Sequence, residues 1–153
     1  MPTETFFDLK AAHEYFSAFC FNQAWDFMDK ADRSALEDAE MIRLSHASLF
    51  HWTQREDCTD RSLSIGYWQI SRIYALLNRP QEARRYADLC LQYSEGESPF
   101  YQGYAYEALA RSVKIMGNGD EAQSFLQRAQ QLLEQIKDPD EREMLAKDLG
   151  TLV

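Results

Sequence analysis

The sequence predicts an all-α fold, a stack of antiparallel helix hairpins with about seven helices, and three observations carry that prediction. First, residues 67–92 repeat themselves at 106–131, a spacing of 39, with Tyr67 aligned on Tyr106, Ile70 on Leu109, Arg72 on Arg111, Glu82 on Glu121, Ala83 on Ala122 and Cys90 on Ala129. Periods of about 20–50 residues mark units that cannot bury an apolar face alone and stack on a neighbour. Second, apolar residues recur at helical intervals along the chain, and no stretch sustains the alternation of a strand. Third, helix start and stop residues punctuate those runs at regular distances.

The elements follow in order. Phe6 to about Met28 carries two apolar stripes, Leu9, Ala12, Phe16, Phe19, Ala24 and Phe27 beside Ala11, Tyr15, Ala18, Trp25 and Met28, which predicts a helix with two covered faces. The pattern fits either a continuous helix or one broken near Phe21-Asn22. Ser34, with Glu37 three residues on, forms a capping-box pattern opening a helix to about Thr53, with a core line of Ala35, Ala39, Ile42, His46, Leu49 and Phe50. Gln54 to Asp60 reads as a linker, and Thr59 or Ser62 caps a helix through Leu77. Pro80 suits a first helical position, where its missing N–H costs nothing, and opens a helix to about Ser94. Ser98-Pro99 opens the next, Gly117-Asn118-Gly119 ends it, and Asp120 caps a helix to about Lys137. Asp138-Pro139 opens a last helix, a cap over residues 138–151 whose Leu145 and Leu149 close the end of the stack.

With 153 residues, of which 45% are hydrophobic, the chain suits one compact domain, 1–153, burying about two-thirds of its unfolded surface. A net charge of −9 opposes binding to a phosphate backbone, whose affinity comes mostly from neutralising cations, so nucleic acid is not the expected partner. No apolar run reaches the ~20 residues needed to cross a bilayer, and Met1-Pro2-Thr3-Glu4 has no basic start leading into an apolar stretch. Cys20, Cys58 and Cys90 form an odd set without metal-type spacing. A cytoplasmic protein with no metal, no cofactor and no membrane contact is expected.

The layout of each repeated unit, a large residue, then Leu and a small residue, Tyr, and after the turn Ala, a large residue and Ala, resembles the tetratricopeptide repeat. Those places fall on Tyr67, Ile70, Ser71, Tyr74, Ala83, Ala87 and Cys90, and again on Tyr106, Leu109, Ala110, Val113, Ala122, Leu126 and Ala129. Residues 63–95 and 100–136 hold the clearest copies. The period of 39 exceeds the usual 34, and the closing Pro is displaced to Pro99 and Pro139. Residues 47–52 and 68–74 also resemble an uncharacterised group of bacterial proteins built on this repeat. The resemblance implies a right-handed α-α superhelix whose concave groove is lined by the first helix of each pair. By position it places Ile65, Trp68, Arg72, Ala75 and Leu76 there from one copy, and Tyr104, Glu107, Arg111, Lys114 and Ile115 from the next.

Such a groove suits a protein or peptide partner bearing a carboxylate, with Trp68 and Tyr104 offering apolar contact and Arg72, Arg111 and Lys114 offering cations. The other reading of Arg72 and Arg111 is structural, each pairing with an acidic residue of an adjacent helix. A non-catalytic adaptor is the leading expectation. The alternative from another class is a ligand-binding or enzymatic pocket between helices two and three, using His46, His51, Trp52 and Arg72. Five residues apart, His46 and His51 point to different sides of a helix, unlike a metal-binding pair four apart. His46 reads as a hydrogen-bonded interior residue, and His51 as a pocket wall or a surface stack. No nucleophile stands beside a recognisable base, and Gly117-Asn118-Gly119 lacks the Lys and Ser or Thr of a phosphate loop. A groove occupied by a second copy, giving a homodimer, is the third reading.

Overall fold

The computed structural model describes residues 6–153, so the reading made on Met1–Glu4 lies outside the described residues. Among them the chain forms seven helices and no strand: α1 (Leu9–Met28), α2 (Ala35–Thr53), α3 (Asp60–Leu76), α4 (Pro80–Ser94), α5 (Pro99–Ile115), α6 (Gly119–Gln135) and α7 (Pro139–Gly150). The chain divides into two compact units, Met1–Cys58 and Thr59–Val153.

In the first unit α1 and α2 pack as a hairpin. α1 is continuous through Phe21-Asn22, opened by Asp8, whose carboxylate accepts from the Ala11 amide. Ser34 caps α2 by accepting from the Glu37 amide, with Glu37 and Asp38 placed against the positive end of the helix dipole. The interface is built from Ser17, Cys20, Ala24 and Met28 on one helix and Met41, Ser45, Ser48 and Leu49 on the other. The buried line of α2 therefore runs one residue off the expected one: Met41, Ser45 and Ser48 are inside, His46 is half-buried, and Ala35 and Phe50 are exposed. Serines can take these places because each hydroxyl finds a carbonyl, Ser48 donating to Ser17 O at 2.7 Å and Ser45 to Ile42 O at 2.8 Å. A buried hydroxyl without such a partner would be costly.

In the second unit α3 packs on α4, α4 and α3 on α5, and α5 on α6, with α7 against both α5 and α6. Thr59 and Ser62 form a reciprocal capping box at the start of α3. Pro80 sits in the first turn of α4, preceded by Asn78 at φ 55, a left-handed conformation that Asn tolerates better than most residues. Asn118, not Asp120, caps α6, accepting from the Glu121 amide, and Gly117 at φ 86 supplies the left-handed turn between α5 and α6.

The two repeated segments occupy matching environments: Ile70 and Leu109, Ser71 and Ala110, Tyr74 and Val113, Ala83 and Ala122, Ala87 and Leu126, and Cys90 and Ala129 are all buried. Small residues at these crossings let helices approach closely, and Ser71 crosses to α4 by donating to Ala83 O at 2.7 Å. α7 closes the stack through Leu145 and Leu149, which join Leu126, Ala129, Leu132, Ile136 and Leu152 inside.

Gly103 of α5 makes α7's approach close, since a Cβ there would stand 2.6 Å from Leu145 Cδ2. Leu145→Ala is expected to cost about 2–5 kcal/mol in urea unfolding, because a fully buried leucine leaves a cavity. Gly103→Ala should be less costly on that background than alone, by about 0.5–3 kcal/mol of coupling. Strict additivity of the two substitutions would refute this contact.

Candidate functional site

The centre of the second unit holds a buried carboxylate. Glu107 of α5 has 0% exposure, a place an ionised side chain occupies only when paired and hydrogen-bonded. Its Oε1 accepts from Arg72 NH1 at 2.8 Å and from Arg111 Nε at 2.7 Å, while Oε2 accepts from Trp68 Nε1 at 3.0 Å. Arg111 reaches Glu107 from one turn along α5; Arg72 and Trp68 come from α3, one turn apart on the same face. Trp68 meets Tyr104 edge to face at 5.4 Å between centroids.

The same cations hold α7. Arg72 NH2 donates to Asp148 Oδ1 at 3.4 Å, and Tyr104 Oη donates to Asp148 Oδ2 at 2.7 Å. Burial, reinforced by the hydrogen bond to Asp148, raises the Tyr104 hydroxyl above the usual tyrosine range and keeps it a donor. Arg111 NH2 reaches Asp148 O at 3.3 Å and Thr151 Oγ1 at 2.7 Å, and Lys114 Nζ donates to Leu152 O at 2.8 Å. Cations are thus set against the carbonyl end of α7, where the helix dipole favours them.

Trp68, Arg72, Tyr104, Glu107 and Arg111 are therefore brought into one network, with Lys114 one turn further along. Arg72 makes the structural pair with acidic residues of adjacent helices that the sequence allowed, whereas Arg111 pairs with Glu107 of its own helix. They also line, with Ala75, Leu76, Lys114, Ile115, Thr151 and Leu152, an open groove of about 420 Å³. Three cations, Arg72, Arg111 and Lys114, meet the carboxylates Glu107 and Asp148 and the carbonyl of Leu152 at this corner. The sequence reading missed Asp148, Thr151 and Leu152, because α7 lies outside the repeated segments. The nearest signal was Asp148 three residues after Leu145, hence on the same face as an expected core residue.

The histidines lie in the first unit, whereas Arg72 belongs to the second. His13 and His51 share a hydrogen bond between their Nδ1 atoms at 2.8 Å, so at neutral charge one donates and the other accepts. His51 also packs near Phe16, at 5.5 Å between centroids, and Trp52 lies beneath the Arg55 guanidinium at 3.9 Å. Arg55 is held by Asp57 and donates to the buried Ser17 hydroxyl at 2.9 Å. Among the described residues no group of three His, Cys, Asp or Glu side chains is placed to hold a metal ion. Burial pushes the Cys90 thiol up to about 12, and burial also raises Cys20, which leaves both poorly nucleophilic at neutral pH. No helix among the described residues is long and apolar enough to cross a membrane.

Burial, then the neighbouring His13, lowers His51 below the ordinary histidine value of 6.5, and burial alone lowers His46. The unfolded chain therefore takes up protons at higher pH than the folded one, so this contribution is present above 6.5 and lost as pH falls through the lowered values. The melting temperature of the first unit is expected to drop between about pH 7.5 and 5, with a shallower slope in His51→Gln. An equal slope in both proteins would contradict the pairing.

Residues 106–153, from Tyr106 of α5 through α6 and α7, match the family model of the DnaB-helicase binding domain of primase. The chain matches no curated protein and no solved structure. The family match overturns the tetratricopeptide resemblance: it covers the whole second copy of the repeated segment, 106–131, and is not to a tetratricopeptide family. The physical reason for the resemblance is general. Small residues at helix crossings and large ones between them recur in any close stack of helix hairpins.

Proposed function

We propose that this chain is a non-catalytic protein-binding module whose C-terminal region docks on a DnaB-type helicase. The observation that carries the reading is the match of residues 106–153 to a domain described as binding that helicase in primase. A segment of such a partner bearing a carboxylate would lie in the groove between α3 and α5, beside the end of α7. Leu76 and Ile115 offer apolar contact there, and Arg72, Arg111 and Lys114 set the sign of charge the groove accepts. In this reading Glu107 acts indirectly, by orienting two guanidinium groups that line the groove.

Replacing Arg72 or Arg111 would not test this cleanly, because each neutralises the buried Glu107, and breaking a buried pair costs about 3–5 kcal/mol of stability. Leu76 is 44% exposed and serves better. Titration of the purified chain onto the DnaB helicase of its own host should show saturable binding. Leu76→Asp should weaken it by about tenfold or more, equivalent to about 1.4 kcal/mol, with an unchanged melting temperature. Arg85→Glu, on the exposed side of α4, should bind as the parent does. Absence of binding by the parent chain would overturn the helicase reading; binding indifferent to Leu76→Asp would overturn the groove.

A further inference from the structure

The first unit buries Met28, Met41 and Leu49 but leaves four aromatic rings outward. Its hairpin interior is mostly small, with Ser17, Cys20, Ala24, Ser45 and Ser48 buried, while Tyr15, Phe16, Phe19 and Phe50 are 59%, 38%, 39% and 56% exposed. That reverses the usual preference, in which large apolar residues fill the inside. The exposed rings are continuous. Tyr15 stacks on Phe19 at 5.4 Å and meets Phe16 edge-on at 5.1 Å, Phe16 approaches His51 at 5.5 Å, and His51 meets Phe50 at 5.4 Å.

From these we infer that α1 is the self-association face of the protein, its occupant being α1 of a second copy. Two features argue for a copy over a different partner. At about half exposure each, these four aromatic residues leave roughly 400 Å² of apolar surface. A stable interface takes about 800 Å² per partner, somewhat over half of it apolar, so the face has most of the apolar area a dimer needs. The second feature is a self-complementary sequence. Ala11, Ala12, Tyr15, Ala18, Phe19 and Asn22 share one face of α1, and none is charged, although the chain carries a net charge of −9. With the copy laid antiparallel and Tyr15 on the two-fold axis, Phe19 falls opposite Ala11 and Ala18 opposite Ala12. On the axis Tyr15 meets its own copy, and on either side of it large faces small and small faces small, as an isologous interface allows. The two hairpins would then form a four-helix bundle.

Sedimentation equilibrium of the whole chain tests this. The parent is expected as a species of twice the 17.8 kDa chain mass by about 100 μM, and Phe19→Asp as the single chain with an unchanged helical circular dichroism spectrum. On a Cys58→Ser background, Tyr15→Cys should give a disulfide-linked dimer under mild oxidation, whereas Gln127→Cys, exposed on α6, should not. A parent that stays monomeric, including one that associates only when another protein is added, overturns the inference. So does a dimer that survives Phe19→Asp, or a Tyr15→Cys dimer that never cross-links.

Discussion

One buried carboxylate organises the second unit. A charge inside a helical stack is tolerable only if its oxygens are fully used, and Glu107 uses both: two guanidinium groups on Oε1 and an indole N–H on Oε2. Those donors come from α3 and α5, so satisfying Glu107 fixes the register of the two helices. The outward halves of the same guanidiniums are then aimed at Asp148, Thr151 and the carbonyl end of α7. Apolar packing of Leu145 and Leu149 brings α7 onto the stack, and the polar network sets where its end lies. The groove beside it is a consequence of that placement.

Helix boundaries were legible in the sequence wherever a side chain does local work. Ser34, Thr59 with Ser62, Pro80, Pro99 and Asp138 stand at the helix starts where their capping or φ preferences place them. The repeated layout also anticipated which residues are buried in α3 to α6, because a small residue at a helix crossing leaves a mark that recurs at the next crossing. It did not anticipate the family model that matches residues 106–153. The tetratricopeptide reading rested on that same packing pattern, which many hairpin stacks share, and the match of residues 106–153 to a helicase-binding domain replaces it.

Two kinds of information were not local and were not read. In the first unit the apolar stripe predicts the core line, whereas serines with carbonyl partners on their own and the facing helix occupy much of the interior and aromatic rings remain outside. Hydrophobicity alone cannot show that a hydroxyl will find an acceptor. In the second unit the sequence allows Arg72 and Arg111 to be either cations for a ligand or structural partners. They pair internally while also lining the groove, a double role that depended on the placement of Asp148, which lies beyond the repeat.

The Glu107 charge, acting through Arg72 and Arg111, positions the guanidiniums that hold α7. Hydrogen exchange of Glu107→Gln, which keeps the shape and removes the charge, tests it most directly. Amides in α7 and at the adjoining end of α5 should exchange faster, with α3 and α4 retaining most of their protection. Unchanged protection of α7, or a uniform loss across every helix of the unit, would contradict it.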